Sequence, residues 1–158
     1  MSKKLDFSAN KKRLAKAASD SRYRYKRRQL KWLEAQGFSI EDYEDPPESI
    51  ETLDFAKLWA RAKAKCQWCG EKLLLDEAEQ DHLTPISKGG SSAPDNIVLC
   101  CSNCNLHKAS KHPARFAAEQ KAKGISTLLV EYYLDKFKNN PGIQQILSED
   151  FIKNPSEE

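Results

Sequence analysis

Two Cys-x-x-Cys pairs, Cys66/Cys69 and Cys101/Cys104, most constrain what this chain of 158 residues can fold into. Two thiolates separated by two residues can close on one tetrahedral ion, and two such pairs complete a four-sulfur shell with no open position for chemistry. A site of that kind is structural. A common zinc ribbon has about 15–20 residues between its pairs, whereas 31 residues, Gly70 to Cys100, separate them here. The excess implies an insertion. Disulfides are the alternative, but the chain starts Met-Ser-Lys-Lys without an apolar stretch of signal-peptide length, and cytosolic thiols stay reduced. A structural Zn²⁺ is therefore expected. Cys100 continues the apolar run Ile97-Val98-Leu99 and is expected to pack as a small hydrophobe outside the shell.

Within the insertion, Glu77 to Leu83 fits a short strand, Ser87 to Ser92 with Gly89-Gly90 is turn chemistry, and Asn96 to Cys100 is a second, more apolar strand. A hairpin is predicted. Ser102 to Lys111 contains neither Gly nor Pro, and His112 stands before Pro113, which disfavours helix at the preceding residue. A short helix fits between those limits. Two strands and a helix, stapled at both ends by zinc, make a small ββα unit, so the expected class is α+β with N- and C-terminal helices flanking that core.

The polar residues on this unit are chemically selective. His82 is one of three histidines, and a histidine ordinarily titrates near pH 6.5, so it can take a proton from water at neutral pH. It is the candidate general base. Asp81 and Asn105 offer hard oxygen atoms that suit Mg²⁺ or Mn²⁺ better than zinc, with the phosphates of a nucleic acid completing the shell. Asn105 and Lys108, three apart, share a helix face, while His107 lies about 200° round the helix from Asn105 and should point away. His107 and His112 are expected to be solvated or packing histidines. Successive strand residues face opposite ways, so Asp81 and His82 could not both face one ion from a regular strand. The strand is expected to end or distort there, as Pro85 three residues on allows.

Taken together, Cys66-x-x-Cys69, Asp81-His82-x-x-Pro85-x-Ser87-x-Gly89-Gly90, Asn96 and Cys101-x-x-Cys104-Asn105-x-x-Lys108 resemble the HNH endonuclease (ββα-metal) family in its zinc-binding, four-cysteine form. The resemblance spans residues 62–112. It implies a hydrolase of DNA phosphodiester bonds in which His82 activates the attacking water, Asp81 and Asn105 hold one divalent ion, Mg²⁺ or Mn²⁺, against the scissile phosphate, Asn96 orients the histidine and its loop, and Lys108 holds phosphate. It further implies DNA as partner and the cytoplasm of a bacterium or a phage-infected host cell as location. The same domain type occurs in RNA-guided nucleases. Many members have a histidine directly after the fourth cysteine; this chain has Asn105, whose carbonyl oxygen can still bind Mg²⁺.

Charge organises the rest. Residues 1–31 hold 12 Lys/Arg against Asp6 and Asp20, yet the whole chain carries only +3, and Trp32 to Ala56 contains eight acidic residues and no basic one. Residues 1–37 therefore read as a basic helical arm, in which Lys11, Lys12, Arg13, Arg22, Arg24, Lys26, Arg27 and Arg28 would meet phosphate backbone and tyrosines could stack on bases. Lys88, Lys108 and Lys111 are the nucleic-acid candidates within the core. A solvated helix face is the plain alternative. Gly37 should end the arm helix, residues 38–50 read as an acidic linker, which could fold back on the arm, and residues 51–140 as the nuclease domain with its flanking helices.

A helix from Glu51 to Lys65 should have Leu53, Ala56/Lys57 and Ala60 on one side, and Leu58 and Trp59 available to the zinc unit. Two more, Ala114–Lys123 and Ser126–Lys138, should break at Gly124, the second packing Leu128, Leu129, Tyr132, Tyr133 and Phe137 on the domain. Residues 141–158 read as a tail. No membrane span appears in the sequence. Besides the nuclease, two readings stand open: a zinc-stabilised nucleic-acid-binding module, and a docking subunit of a larger phage or bacterial DNA-processing complex, in packaging or restriction.

Overall fold

A computed structural model describes residues 23–45 and 54–153, with residues 149–153 described by backbone alone. Lys11, Lys12, Arg13 and Arg22 lie outside the described residues, as do Leu53 and the middle of the acidic stretch. The elements are helix α1 (residues 23–35), α2 (Phe55–Ala62), strand β1 (Glu79–His82), strand β2 (Ile97–Cys100), α3 (Ser102–Lys108), α4 (Pro113–Ala122), α5 (Leu128–Lys136) and α6 (Pro141–Lys153). Single 3₁₀ turns stand at Ile40–Asp42, Ile86–Lys88 and Pro94–Asn96. The fold is α+β, with one antiparallel pair in the register Glu79↔Cys100, Gln80↔Leu99, Asp81↔Val98, His82↔Ile97.

β2 is buried along its whole length, which is why four apolar residues in a row serve it. Its edge away from β1 is met by the first cysteine knuckle: Gln67 N–H donates to Leu99 O at 2.9 Å, and Leu99 N–H donates to Gln67 Oε1 at 2.9 Å. α2 is shorter than the sequence implies. Asp54 caps its start by accepting from Ala56 N–H at 3.0 Å, and Lys63 and Ala64 adopt positive φ, a conformation that cannot continue a helix. Leu58 and Ala62 face inward, Ala56, Lys57 and Ala60 are exposed, and Arg61 donates to Pro94 O and Ile97 O, tying α2 to the start of β2. α3 stops at Lys108, short of the expected Lys111, because Ala109 turns to φ 48°.

Helix α1 is built into the core rather than held away from it. Trp32, Leu33 and Phe38 are buried, Trp32 Nε1–H donates to Ser110 O at 2.6 Å, and Gly37 at φ 85° ends the helix so that Phe38 N–H can return to Leu33 O. Only glycine adopts that turn without strain. The described residues after Phe38 return to α1: Glu44 N–H donates to Gln29 Oε1 at 2.8 Å, and Lys26 lies over the Tyr43 ring at 5.3 Å. α5 buries Val130 and Tyr133, with Leu129, Leu134 and Phe137 partly covered. Leu128 and Tyr132, expected on the same face, are instead 91% and 57% exposed, because the inward stripe follows 130, 133, 134 and 137. α6 anchors the C-terminal segment through buried Ile143 against α4.

His112 joins these pieces. Its Nδ1 caps α4 by accepting from Ala114 N–H at 3.1 Å. Its ring stacks on Phe38 at 3.7 Å, lies 5.5 Å from Trp32, and meets the edge of Phe137 at 5.0 Å. Burial, with lesser repulsion from Lys136 and Lys108, pushes its pKa down to about 3. In the unfolded chain it titrates near 6.5, so the unfolded state binds the extra proton between those values. The contribution is whole above pH 6.5 and is lost as pH falls towards 3. His112→Asn should therefore lower stability at pH 7 by roughly 2–4 kcal/mol through the lost ring, and should flatten the pH dependence. Denaturant midpoints of both proteins from pH 7 to pH 4 measure this.

Candidate metal clamp and catalytic face

The sulfurs of Cys66, Cys69, Cys101 and Cys104 all lie within 4.8 Å of one another, with Cys69 and Cys101 at 3.9 Å. Zinc–sulfur bonds of about 2.3 Å in a tetrahedron set sulfurs roughly 3.8 Å apart, so the cage fits zinc. Each knuckle also aims a backbone N–H at its first sulfur: Cys69 at Cys66 Sγ and Cys104 at Cys101 Sγ, both at 3.4 Å. Those bonds favour thiolate. Hydrogen bonding from Cys104, ahead of other neighbours, pulls the Cys66 thiol down to about 5. Burial pushes Cys69 up to about 11, and its bond to Cys66 pushes Cys104 up as well. Without a cation the cluster tolerates little negative charge; a divalent ion removes that limit. Cys100 is fully buried and its thiol is pushed up, chiefly by burial. It packs outside the cage, as expected.

Strand alternation divides the other candidates. Glu79 and Asp81 share one face of β1, turned to α3, where Asn105 and Lys108 share a helix face one turn apart. They meet in pairs: Asn105 Nδ2–H donates to Glu79 Oε1 at 2.9 Å, and Lys108 Nζ lies 3.2 Å from Asp81 Oδ1. Asp81 Oδ2 accepts from Trp68 Nε1–H at 3.0 Å, and Lys108 donates also to His82 O at 3.0 Å. Lys108 is completely buried; burial pushes its pKa down and the Asp81 charge opposes that shift. Expected to hold phosphate, its ammonium instead meets a carboxylate and a backbone carbonyl. The strand does not distort at Asp81–His82, since the pairing runs regularly to His82↔Ile97. It ends just beyond, and the half-exposed His82 faces away from Asp81, its Nε2 lying 3.3 Å from Ser92 Oγ.

Asn96 pins the loop between the strands. Its Oδ1 accepts from Thr84 N–H at 2.9 Å, and its Nδ2 donates to Thr84 O at 3.0 Å and Ser91 O at 2.8 Å. Of the basic candidates, Arg24, Lys26, Arg27 and Arg28 are exposed on α1, and Lys88 is half-exposed on the loop. Lys111 pairs with Glu119 at 2.6 Å. His107 is exposed. Tyr25, one of the tyrosines of the basic stretch, donates to Gly89 O at 3.0 Å. Glu79, Trp68 and Ser92 were missed. The period of two from Asp81 could have pointed to Glu79; nothing local pointed to Trp68 or Ser92.

A two-stranded ββα unit clamped by four cysteines defines the class of domain. Residues 66–121 match the family model described as HNH endonuclease. Over 77 residues the chain is 29% identical to the CRISPR-associated endonuclease Cas9 of Corynebacterium diphtheriae, an alignment covering 45% of this chain and 7% of that protein. The chain thus spans a small fraction of that relative's length. Two solved structures are similar at low overall superposition. The Type II-C Cas9 enzyme from Actinomyces naeslundii gives 17% identity over 84% of this chain and 14% of that one, with a TM-score of 0.37. Streptococcus thermophilus Cas9 gives 15% identity over 99% and 18%, with a TM-score of 0.35. Among the described residues no helix is long and apolar enough to cross a membrane.

Two outcomes follow from the geometry. Serine at Cys66, Cys69, Cys101 or Cys104 should cost bound zinc and folding together, whereas Cys100→Ser should keep the metal; zinc stoichiometry beside circular dichroism checks this. Lys108→Ala strands the buried Asp81 charge and should cost about 3–5 kcal/mol in a denaturant titration. Adding Asp81→Asn should recover part of that loss, because the stranded charge is then gone.

Proposed function

We propose that this protein is a metal-dependent HNH endonuclease that hydrolyses DNA phosphodiester bonds. The observation that carries the reading is the arrangement around the end of β1: oxygen donors of Asp81 and Asn105 on the α3 side, and the open imidazole of His82 on the other, all held on one clamped unit. The donor set is hard oxygen, with Glu79 adjoining it, and so suits Mg²⁺ or Mn²⁺. Such an ion would be held by Asp81, in exchange for one of its contacts to Lys108 and Trp68, and by Asn105, and would supply Lewis acidity at the phosphoryl and leaving oxygens.

The remaining work falls to the chain's own groups. His82 takes a proton from the attacking water, its ring steadied by Ser92. Asn96 fixes the loop that carries Ser92. Lys108 neutralises Asp81 and braces the His82 carbonyl, and phosphate contact falls to Arg24, Lys26, Arg27, Arg28 and Lys88 on the surface. Lys111, already paired with Glu119, contributes less.

Supercoiled plasmid incubated with the zinc-loaded protein should be nicked or linearised with Mg²⁺ or Mn²⁺ and left intact with EDTA. His82→Ala should lose about 10²–10⁴-fold in rate while folding and DNA binding survive. Asn105→Ala should lose activity in a way that added Mn²⁺ partly restores, since its defect lies in holding the ion, and His107→Ala should resemble wild type. An active His82→Ala variant would defeat the mechanism.

A further inference from the structure

Two residues of α1 reach the loop that carries the His82 partner. Tyr25 Oη–H donates to Gly89 O at 3.0 Å and accepts from Gln29 Nε2–H at 2.9 Å, and the same amide donates to Lys88 O at 3.1 Å. Gln29 is 3% exposed, and its Oε1 accepts from Glu44 N–H, so the amide is locked in one orientation. The contact is also steric. Gly89 sits at φ +91°, and a Cβ built there would lie 1.6 Å from Tyr25 Cε2; one built at Gly90 would lie 1.7 Å from Thr84 O and 2.8 Å from Asn96 Nδ2. The two glycines are thus pressed between the Tyr25 ring on one side and the Thr84–Asn96 clamp on the other.

From Gly90 the chain runs to Ser91, whose carbonyl Asn96 holds, and to Ser92, which meets His82 Nε2. The other face of α1 presents Arg24, Arg27, Arg28 and Lys31, all exposed. A phosphate-facing helix and the seat of the imidazole are therefore in direct mechanical contact through Tyr25 and Gln29.

We propose that Tyr25 and Gln29 are positioning residues for His82: they set the Lys88–Ser92 loop, and so couple the seating of α1 on a phosphate backbone to the alignment of the base. This rests on the reading of His82 as general base. Neither residue touches substrate; they act through the loop. Tyr25→Phe keeps the ring over Gly89 and removes the hydroxyl, and Gln29→Leu keeps the volume and removes both donors.

In the zinc-loaded protein, either change should speed amide hydrogen exchange at Gly89 and Gly90 about tenfold while leaving the amides of Cys69 and Gly70 as they were. Either should lower kcat on plasmid by about tenfold with little change in KM for DNA, whereas Arg27→Ala should raise KM. Ser92→Ala combined with Tyr25→Phe should lose less than the product of the single losses, because both act on one ring. Gly89→Ala, which displaces the Tyr25 ring, should reproduce the kcat loss with the hydroxyl present. Unchanged exchange at Gly89 and Gly90 overturns the inference whatever the activity. Faster exchange with wild-type kcat, in a protein whose cleavage His82→Ala abolishes, overturns the coupling and leaves the base assignment intact. Wild-type protein without cleavage overturns the base assignment and the coupling that rests on it, and the exchange result then decides separately whether Tyr25 and Gln29 set the loop.

Discussion

Sulfur held close to sulfur governs this molecule. The four cysteine side chains come from two knuckles far apart in sequence, and one ion between them would fix both the edge of β2 and the first turn of α3. Everything placed on the α3 side of β1 depends on that closure, since a two-stranded pair has too little core of its own to hold a helix in register. Trp68, inside the first knuckle, passes the constraint inward: its indole N–H meets Asp81, and its ring packs against Phe116 and Tyr133. The clamp and the candidate catalytic face thus share a residue.

The helices complete what the clamp begins. α4 and α5 meet the cysteine unit at Trp68, where Gln120 of α4 and Thr127 at the start of α5 both donate to Trp68 O, and α6 packs on α4. α1 meets the loop through Tyr25 and Gln29, and Trp32, with Phe38 just beyond the helix, packs on His112. Basic charge and apolar packing occupy opposite faces of that one helix. Its cationic residues are consequently presented from a fixed platform, so an anion meeting them would lose less affinity to ordering the protein.

Local spacing made the centre of the fold legible. The two knuckles, the hairpin, α3 and the breaks at Gly37 and Gly124 are written in cysteine spacing, period-two alternation and glycine positions, and each is found within a few residues. The partners were not legible, because they are set by contacts between distant segments. Nothing near His112 announces that Phe38 will stack on it, and nothing near Lys108 says that burial will turn a phosphate candidate into the counter-charge of Asp81. The docking of residues 23–37 is illegible for a related reason: the charge of the basic stretch is conspicuous, while Gln29, Trp32 and Leu33, the residues that dock it, are sparse and mixed in type. At Asp81–His82 the strand neither ends nor distorts between the two residues, so ordinary alternation turns Asp81 to α3 and His82 away from it.

Cys100 adjoins the zinc cysteines in sequence yet is fully enclosed by β2 packing, its thiol pushed up and so held in the unreactive, protonated form. Towards an alkylating reagent, Cys100 of the folded chain is therefore silent. The other four would share a single metal equilibrium. With zinc in the cage, their labelling would report on metal loss, whereas the fifth thiol would enter the count only once β2 has come apart.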